Sequence, residues 1–399
     1  MENWQKNLLI LWIGSLVTSA SYSMVIPFLP LFLLQIGVKH HTEMWSGLLF
    51  SAAFLAGAVA SPFWGAVADK YGRKPMIIRA GIALGLIYFL TAFVTNPYEL
   101  LILRVMQGLL SGYIPGAIAL VGTSTPENKI GYALAMISTA TSSGGIIGPL
   151  LGGGISKLLD NRMAFGSAGV LVFLSTLLVI FFVKEEGFVP SKGKSTVFGA
   201  IGVAAQNRTF MFVMLLTILT SFSVMTIEPV LPLYIVQIGG SVNNASLLAG
   251  IVFSLAGIAS VLFAPQWGKL SSKVGFRYVL MIGLLGGGLG NLAQILFHNI
   301  WGFSIVRFMF GAFFCAVFPA LNGLVVRSTQ SDFRGRAFSL NQTANQLGTM
   351  FGPIVGGAVG GAYTIHSVFW VTGLLLLLTM GFTYWVDKIS PLEKSVAEE

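Results

Sequence analysis

Residues 23–37, SMVIPFLPLFLLQIG, return in the second half of the chain as residues 224–239, VMTIEPVLPLYIVQIG. Pro27, Pro30, Gln35 and Gly37 match Pro229, Pro232, Gln237 and Gly239 at an offset of 202. Further out, Pro62, Trp64, Gly65, Gly72, Arg104 and Gly108 match Pro265, Trp267, Gly268, Gly275, Arg307 and Gly311 at an offset of 203. Ser124, Thr125, Gly131, Gly144, Gly148, Pro149, Gly152 and Gly153 match Ser328, Thr329, Gly335, Gly348, Gly352, Pro353, Gly356 and Gly357 at 204. Shared composition does not keep so many identities in order, so the chain is an internal duplication.

Each copy contains six apolar runs of membrane length, at about 20 residues per crossing. They fall near 8–36, 44–68, 76–95, 98–122, 130–151 and 163–183, then 210–238, 245–270, 279–297, 301–326, 335–360 and 367–386. We number the corresponding helices 1 to 12. The expected fold is an all-α membrane protein with twelve transmembrane helices in two pseudo-symmetric six-helix bundles, 1–184 and 209–399, joined by a polar cytoplasmic linker, 185–208. Composition agrees: 55% of the 399 residues are apolar and 9% charged, against about 45–50% and 25% in an ordinary soluble domain. An even number of crossings per copy makes the repeats parallel, related by an axis along the membrane normal.

The charge distribution orients the chain. Of the 23 Lys and Arg, only Lys39, Lys157 and Arg162 fall on the side opposite the N-terminus, and Arg104 and Arg307 lie within helices. The positive-inside rule then puts both termini in the cytoplasm. The net charge of +9 is dispersed between apolar runs, which argues against a nucleic-acid surface. One cysteine, Cys315, and four histidines in or beside connections offer no disulfide, metal centre or catalytic constellation. Gly193-Lys194-Ser195 lacks the earlier glycine of a phosphate loop, because Phe188 stands in its place. No enzyme and no cofactor are expected.

Glu228 is the one acid deep inside any predicted helix, Glu99 standing at the very end of helix 4; it lies about 15 Å from the outer end of helix 7 and directly before Pro229. A carboxyl at that depth needs a proton, a cationic partner or water. Arg307 lies about 6 Å nearer the outside by the same count, so an ion pair broken by proton or substrate is one reading and a static pair another. Arg104, its repeat mate, either finds an internal partner or snorkels to the outer headgroups. Helix 11 carries two polar ridges, Asn341, Gln342, Asn345 and Gln346, part of which is expected to face the interior.

Three motifs carry a family resemblance. Gly65-Ala66-Val67-Ala68-Asp69-Lys70-Tyr71-Gly72-Arg73-Lys74 resembles the signature loop of the major facilitator superfamily. Arg104 with Gln107 and Gly108 resembles its intramembrane arginine motif, and Gly144-Gly145-Ile146-Ile147-Gly148-Pro149-Leu150-Leu151-Gly152-Gly153 resembles the antiporter motif of its drug exporters. The copy at 348–357 suggests that part of that pattern is architectural. The chain as a whole resembles the twelve-helix drug:proton antiporters of that superfamily.

The resemblance implies a bacterial cell-membrane exporter of varied lipophilic, often cationic, drugs driven by protons, and a monomer is expected. It implies that the loop of Gly65, Asp69, Lys70, Gly72, Arg73 and Lys74 is a cytoplasmic latch, with helix 11 as the partner of Asp69. Glu228, Arg307 and Arg104 become the candidates for proton coupling. Helices 1, 4, 7 and 10 line the cavity in this family, which with helix 11 nominates Tyr22, Phe28, Gln107, Tyr113, Met225, Phe310, Phe314, Asn341 and Asn345. Aromatic and methionine surfaces suit lipophilic cations. Other readings are a facilitator or exporter of one metabolite or lipid precursor, and a receptor or scaffold without turnover; for the latter the short tail after Val386 leaves no room for a signalling domain.

Overall fold

The computed structural model describes residues 2–126, 129–185, 205–239, 242–329, 334–389 and 392, and most of the expected linker lies outside them. Among the described residues the chain is helical with no strand. Helix 1 runs Asn3–Val25 and Leu29–Gln35, helix 2 Thr42–Tyr71, helix 3 Arg73–Thr91, helix 4 Pro97–Leu110 and Tyr113–Ser124, helix 5 Ile130–Leu158 and helix 6 Asn161–Phe182. Helix 7 runs Arg208–Ile227 and Leu231–Gly239, helix 8 Val242–Val274, helix 9 Phe276–Gln294, helix 10 Ile300–Phe314 and Val317–Ser328, helix 11 Arg334–Ala362 and helix 12 Ile365–Ile389. Eleven of these crossings are long and apolar enough to span a membrane. Helix 11, with 29 residues, has the length, and its arginines and amide ridge dilute its hydropathy.

Local chemistry sets the ends. Asn96, Asp160, Asn207 and Asn299 cap helices 4, 6, 7 and 10 by accepting backbone N–H bonds, which replaces donors that the first turn leaves unpaired. Helices 2 and 3 meet at Gly72 with φ +100°, and helices 8 and 9 at Gly275 with φ +91°, a conformation that any side chain would strain.

The sequence gives each helix as one apolar run; helices 1, 4, 7 and 10 are each interrupted in mid-span. Pro30, Pro115, Pro232 and Pro319 stand four residues after Ile26, Ser111, Glu228 and Cys315. A proline carries no N–H for the carbonyl four residues back, so each break coincides with an orphaned carbonyl. At the helix 4 break Arg79, six residues into helix 3, donates to the Leu110 and Ser111 carbonyls at 3.2 and 3.3 Å. Its guanidinium lies 3.6 Å over the Trp64 ring, and Trp64 Nε1 donates to Leu109 at 2.7 Å. In the second copy Trp267 repeats the bond, to Ala312 at 2.6 Å, and Ile282 stands where Arg79 would be.

The chain divides into two compact units, Met1–Gly193 with Gly240–Ser254, and Lys194–Gly239 with Leu255–Glu399. In the first, helix 1 packs chiefly on helices 5 and 6, and helix 3 on helix 6; in the second, helix 7 packs on helices 11 and 12, and helix 9 on helix 12. The tightest seams are glycine stripes. A Cβ on Gly144 would sit 2.6 Å from the Leu16 carbonyl, and one on Gly148 or Gly152 would run into Ala20 or Met24. Gly348, Gly352 and Gly356 repeat this against Ile218, Phe222 and Thr226. Backbone on backbone is the contact that small residues allow between membrane helices.

Candidate functional site

Two membrane-embedded arginines organise the interior, one in each unit. Arg104 is 7% exposed; its Nη1 donates to Gln107 Oε1 at 2.8 Å, and Gln107 Nε2 donates to the Tyr88 hydroxyl at 3.0 Å. Arg104 also interacts electrostatically with Tyr88 and with Tyr22 of helix 1, while its Nη2 has no hydrogen-bond partner among the described residues. The internal reading of Arg104 therefore holds over snorkelling, because one helical turn brings Gln107 under the guanidinium and helix 3 supplies Tyr88. Tyr88 was not a candidate from sequence; its place opposite helix 4 is set by packing.

Arg307 is 5% exposed and interacts electrostatically with Glu228. Glu228 caps the first segment of helix 7, at the break imposed by Pro229 and Pro232, so the carboxyl stands where the backbone leaves the helix. The guanidinium lies 4.9 Å from the Phe310 ring centre, and Phe310 stacks on Phe314 at 5.2 Å and 10°. Phe310 occupies the register position of Gln107, and fully buried Asn291 that of Tyr88. In helix 9 Gln294 Nε2 donates to Asn291 Oδ1 at 3.3 Å; an amide pair with no exposed surface is a polar feature that the apolar run around it concealed.

The other cavity candidates divide. Tyr22 is exposed and Met225 and Phe314 are half-buried. Asn345 is half-buried, whereas Asn341 is buried and accepts from Thr217 Oγ1 at 2.8 Å, which spends it on joining helices 7 and 11. Phe28 and Tyr113 belong to the interior of the first unit rather than to an open surface: Phe28 meets Phe165 edge-on at 5.3 Å, and the Tyr113 hydroxyl fills the space above Gly14. A break in each helix turns these rings inward, a rotation that a straight-helix count does not give.

The expected loop is for the most part the last turns of helix 2, with Gly72 alone between the helices; Gly65 is exposed there and Lys70 lies 5.1 Å over the Tyr71 ring. The side chain of Asp69, and with it the expected contact to helix 11, lies outside the described residues. Glu185, just past helix 6, performs a docking that the sequence did not disclose: its carboxylate accepts from the backbone N–H groups of Arg73 and Lys74 at 2.9 and 2.8 Å. An anion there complements the helix 3 dipole, and a side chain on Gly72 would collide with it. Lys74 Nζ adds a bond to the Ile180 carbonyl at 3.0 Å. In the second unit, Arg277 pairs with Asp387 at 2.9 Å.

The antiporter-like segment has two contact faces within the first unit. Gly144, Gly148 and Gly152 face helix 1, while a Cβ on Gly153 would approach the Ser246 carbonyl at 2.7 Å and Gly250 abuts the Pro149 carbonyl. Ser254 Oγ donates to Ile146 at 2.7 Å.

Comparison with known proteins decides the family. The model of the Major Facilitator Superfamily matches residues 11–260 and 213–399. The chain belongs to the Major Facilitator Superfamily. Relatives named multidrug resistance protein MdtG, from Salmonella schwarzengrund strain CVM19633 and Rahnella sp. strain Y9602, are 35% identical over 385 and 390 residues, covering 96% of this chain and 95% and 94% of theirs. The fold is similar to that of the nucleoside transporter NupG, with TM-score 0.81, 15% identity and coverage of 95% and 99%. It is similar also to a bacterial homologue of the human lysosomal transporter Spinster in an inward-facing, occupied conformation, with TM-score 0.80, 16% identity and coverage of 99% and 100%. The protein is thus a multi-pass membrane transporter, not an enzyme.

Proposed function

We propose that this transporter exports structurally varied lipophilic drugs, cationic dyes among them, in exchange for protons, by alternating access across the bacterial cell membrane with both termini in the cytoplasm. The observation that carries the reading is Glu228 at the helix 7 break, within electrostatic reach of Arg307. A half-buried carboxyl within electrostatic reach of a buried guanidinium has two states available to it, ionised and protonated. A proton arriving from outside neutralises Glu228 and removes its attraction for Arg307; loss of that proton to the cytoplasm restores it. Half-buried Phe314, stacked on the buried Phe310 ring beside Arg307, offers an apolar, π-rich surface of the kind on which lipophilic cations bind. The relatives named for multidrug resistance support the substrate class. Gly65, Asp69, Lys70, Gly72, Arg73 and Lys74 serve as the cytoplasmic latch in this scheme, and the protein works as a monomer.

Proton and drug are coupled only through their differential affinities for the same conformations. The test is transport in sealed inside-out vesicles under an imposed pH gradient, with a panel of cationic dyes and of metabolites. Gradient-dependent uptake of several unrelated dyes is expected. Uptake confined to one metabolite, or flux indifferent to the gradient, overturns the reading in favour of a single-solute facilitator or exporter.

A further inference from the structure

The second unit carries a histidine pair that the transport scheme does not use. His298 lies in the connection between helices 9 and 10, immediately before the Asn299 cap, and His366 lies in the first turn of helix 12. Their ring centres are 6.0 Å apart with 36° between the planes. Two imidazoles bound to one zinc ion at about 2.1 Å per nitrogen stand about 5–6 Å apart centre to centre.

The pair is braced from beneath by one buried residue. Tyr234, in the second segment of helix 7, packs edge-on against His366 at 5.2 Å and 85°. Its hydroxyl donates to the carbonyl of Phe297, the neighbour of His298, at 3.4 Å. Tyr234 is itself wedged against Phe303 at 5.3 Å and Phe369 at 4.9 Å, both of them fully buried. The tyrosine thus orients one imidazole through its ring and the other through the backbone. His298 is exposed and His366 half-buried, so the donors are held by an apolar platform and remain open to solvent.

We propose that His298 and His366 form a binding site for a divalent transition-metal ion of the zinc or copper class, at the end of the second unit opposite the terminus-bearing end. Imidazole favours such ions over magnesium or calcium. No group of three or more His, Cys, Asp or Glu residues suited to a metal occurs among the described residues; the two imidazoles are the protein ligands of this proposal, with water or a solute in the other coordination positions. Bound metal ties the connection between helices 9 and 10 to the start of helix 12. The inference stands apart from the transport reading and survives or fails without it.

The test uses the full-length protein without a polyhistidine tag, purified in detergent, with zinc chloride as the probe and magnesium chloride as the control. Zinc is expected to raise the thermal unfolding midpoint, since a ligand of the folded state stabilises it, and magnesium to leave it unchanged. His298→Ala and His366→Ala are each expected to weaken zinc binding at least tenfold, and His40→Ala/His41→Ala to leave it intact. Tyr234→Phe, which keeps the ring and removes the hydroxyl, weakens it a few-fold. With one equivalent of copper(II), electron paramagnetic resonance should report two imidazole nitrogens in the parent and one in either single variant. No zinc-dependent shift, a shift that persists in both single variants, or one that follows His40 and His41 instead overturns the proposal.

Discussion

The surroundings of Arg104 and Arg307 are the same place in two copies of one design, filled differently. Around Arg104 the partners are neutral: Gln107 and Tyr88 form a hydrogen-bonded chain. Around Arg307 the corresponding positions are Phe310 and Asn291, and the counter-charge arrives from another helix as Glu228, whose repeat mate is Ile26. The first arginine has an amide for its hydrogen-bond acceptor, and the second has a carboxyl within electrostatic reach. The duplication therefore supplies the buried arginine twice and a carboxyl within its electrostatic reach once.

The largest effect that would break this contrast is at Glu228. Glu228→Gln is expected to abolish gradient-driven dye uptake while dye binding, read by fluorescence polarisation, remains measurable; unchanged uptake removes Glu228 from the mechanism. Moving the acid to the other copy, Ile26→Glu with Glu228→Ile, should not restore the drive, because Arg104 is already engaged by Gln107. Restored uptake would mean that the two cradles are interchangeable.

Next in size are the glycine stripes. Gly148→Leu and Gly352→Leu force a side chain into a backbone contact, with an expected cost of about 1–3 kcal/mol each, read as similar falls in unfolding midpoint. A variant at Gly148 that stops transport with an unchanged midpoint would show that the helix 5 motif does more than pack. Gln107→Leu leaves the buried Arg104 without its acceptor and should cost about 1–3 kcal/mol, while the pH dependence of dye uptake by the folded fraction stays as in the parent. The smallest effect is at Glu185: Glu185→Ala removes the cap of helix 3 and should lower stability by about 1 kcal/mol. Asp69→Asn should slow dye uptake with normal membrane insertion, and parental rates would count against the latch.

Much of the fold was legible because its signals are local. Apolar runs of membrane length, an even count per copy and identities at steady offsets give twelve helices in two parallel repeats before any contact is known. Glu228 and Arg307 could be brought to similar depth by counting rise along two helices. The breaks were legible in principle from Pro30, Pro115, Pro232 and Pro319, but Pro62, Pro149, Pro265 and Pro353 sit inside continuous helices, so proline alone does not decide. Phe28 and Tyr113 went to the interior for that reason: an interruption re-aims every side chain beyond it.

What escaped the sequence spans long separations. Glu185 reaches residues more than a hundred positions earlier in the chain, Arg79 finds carbonyls freed by a break in the next helix, and His298 meets His366 over an aromatic platform from helix 7. The sequence by itself determined the solvent this chain lives in, its duplication and the depth of its rare charges, since these follow from hydropathy and spacing along one helix. Only the tertiary structure decided which charge meets which partner. That choice depends on the facing of helices distant in sequence, and the energy of a buried ion resides almost wholly in its neighbours.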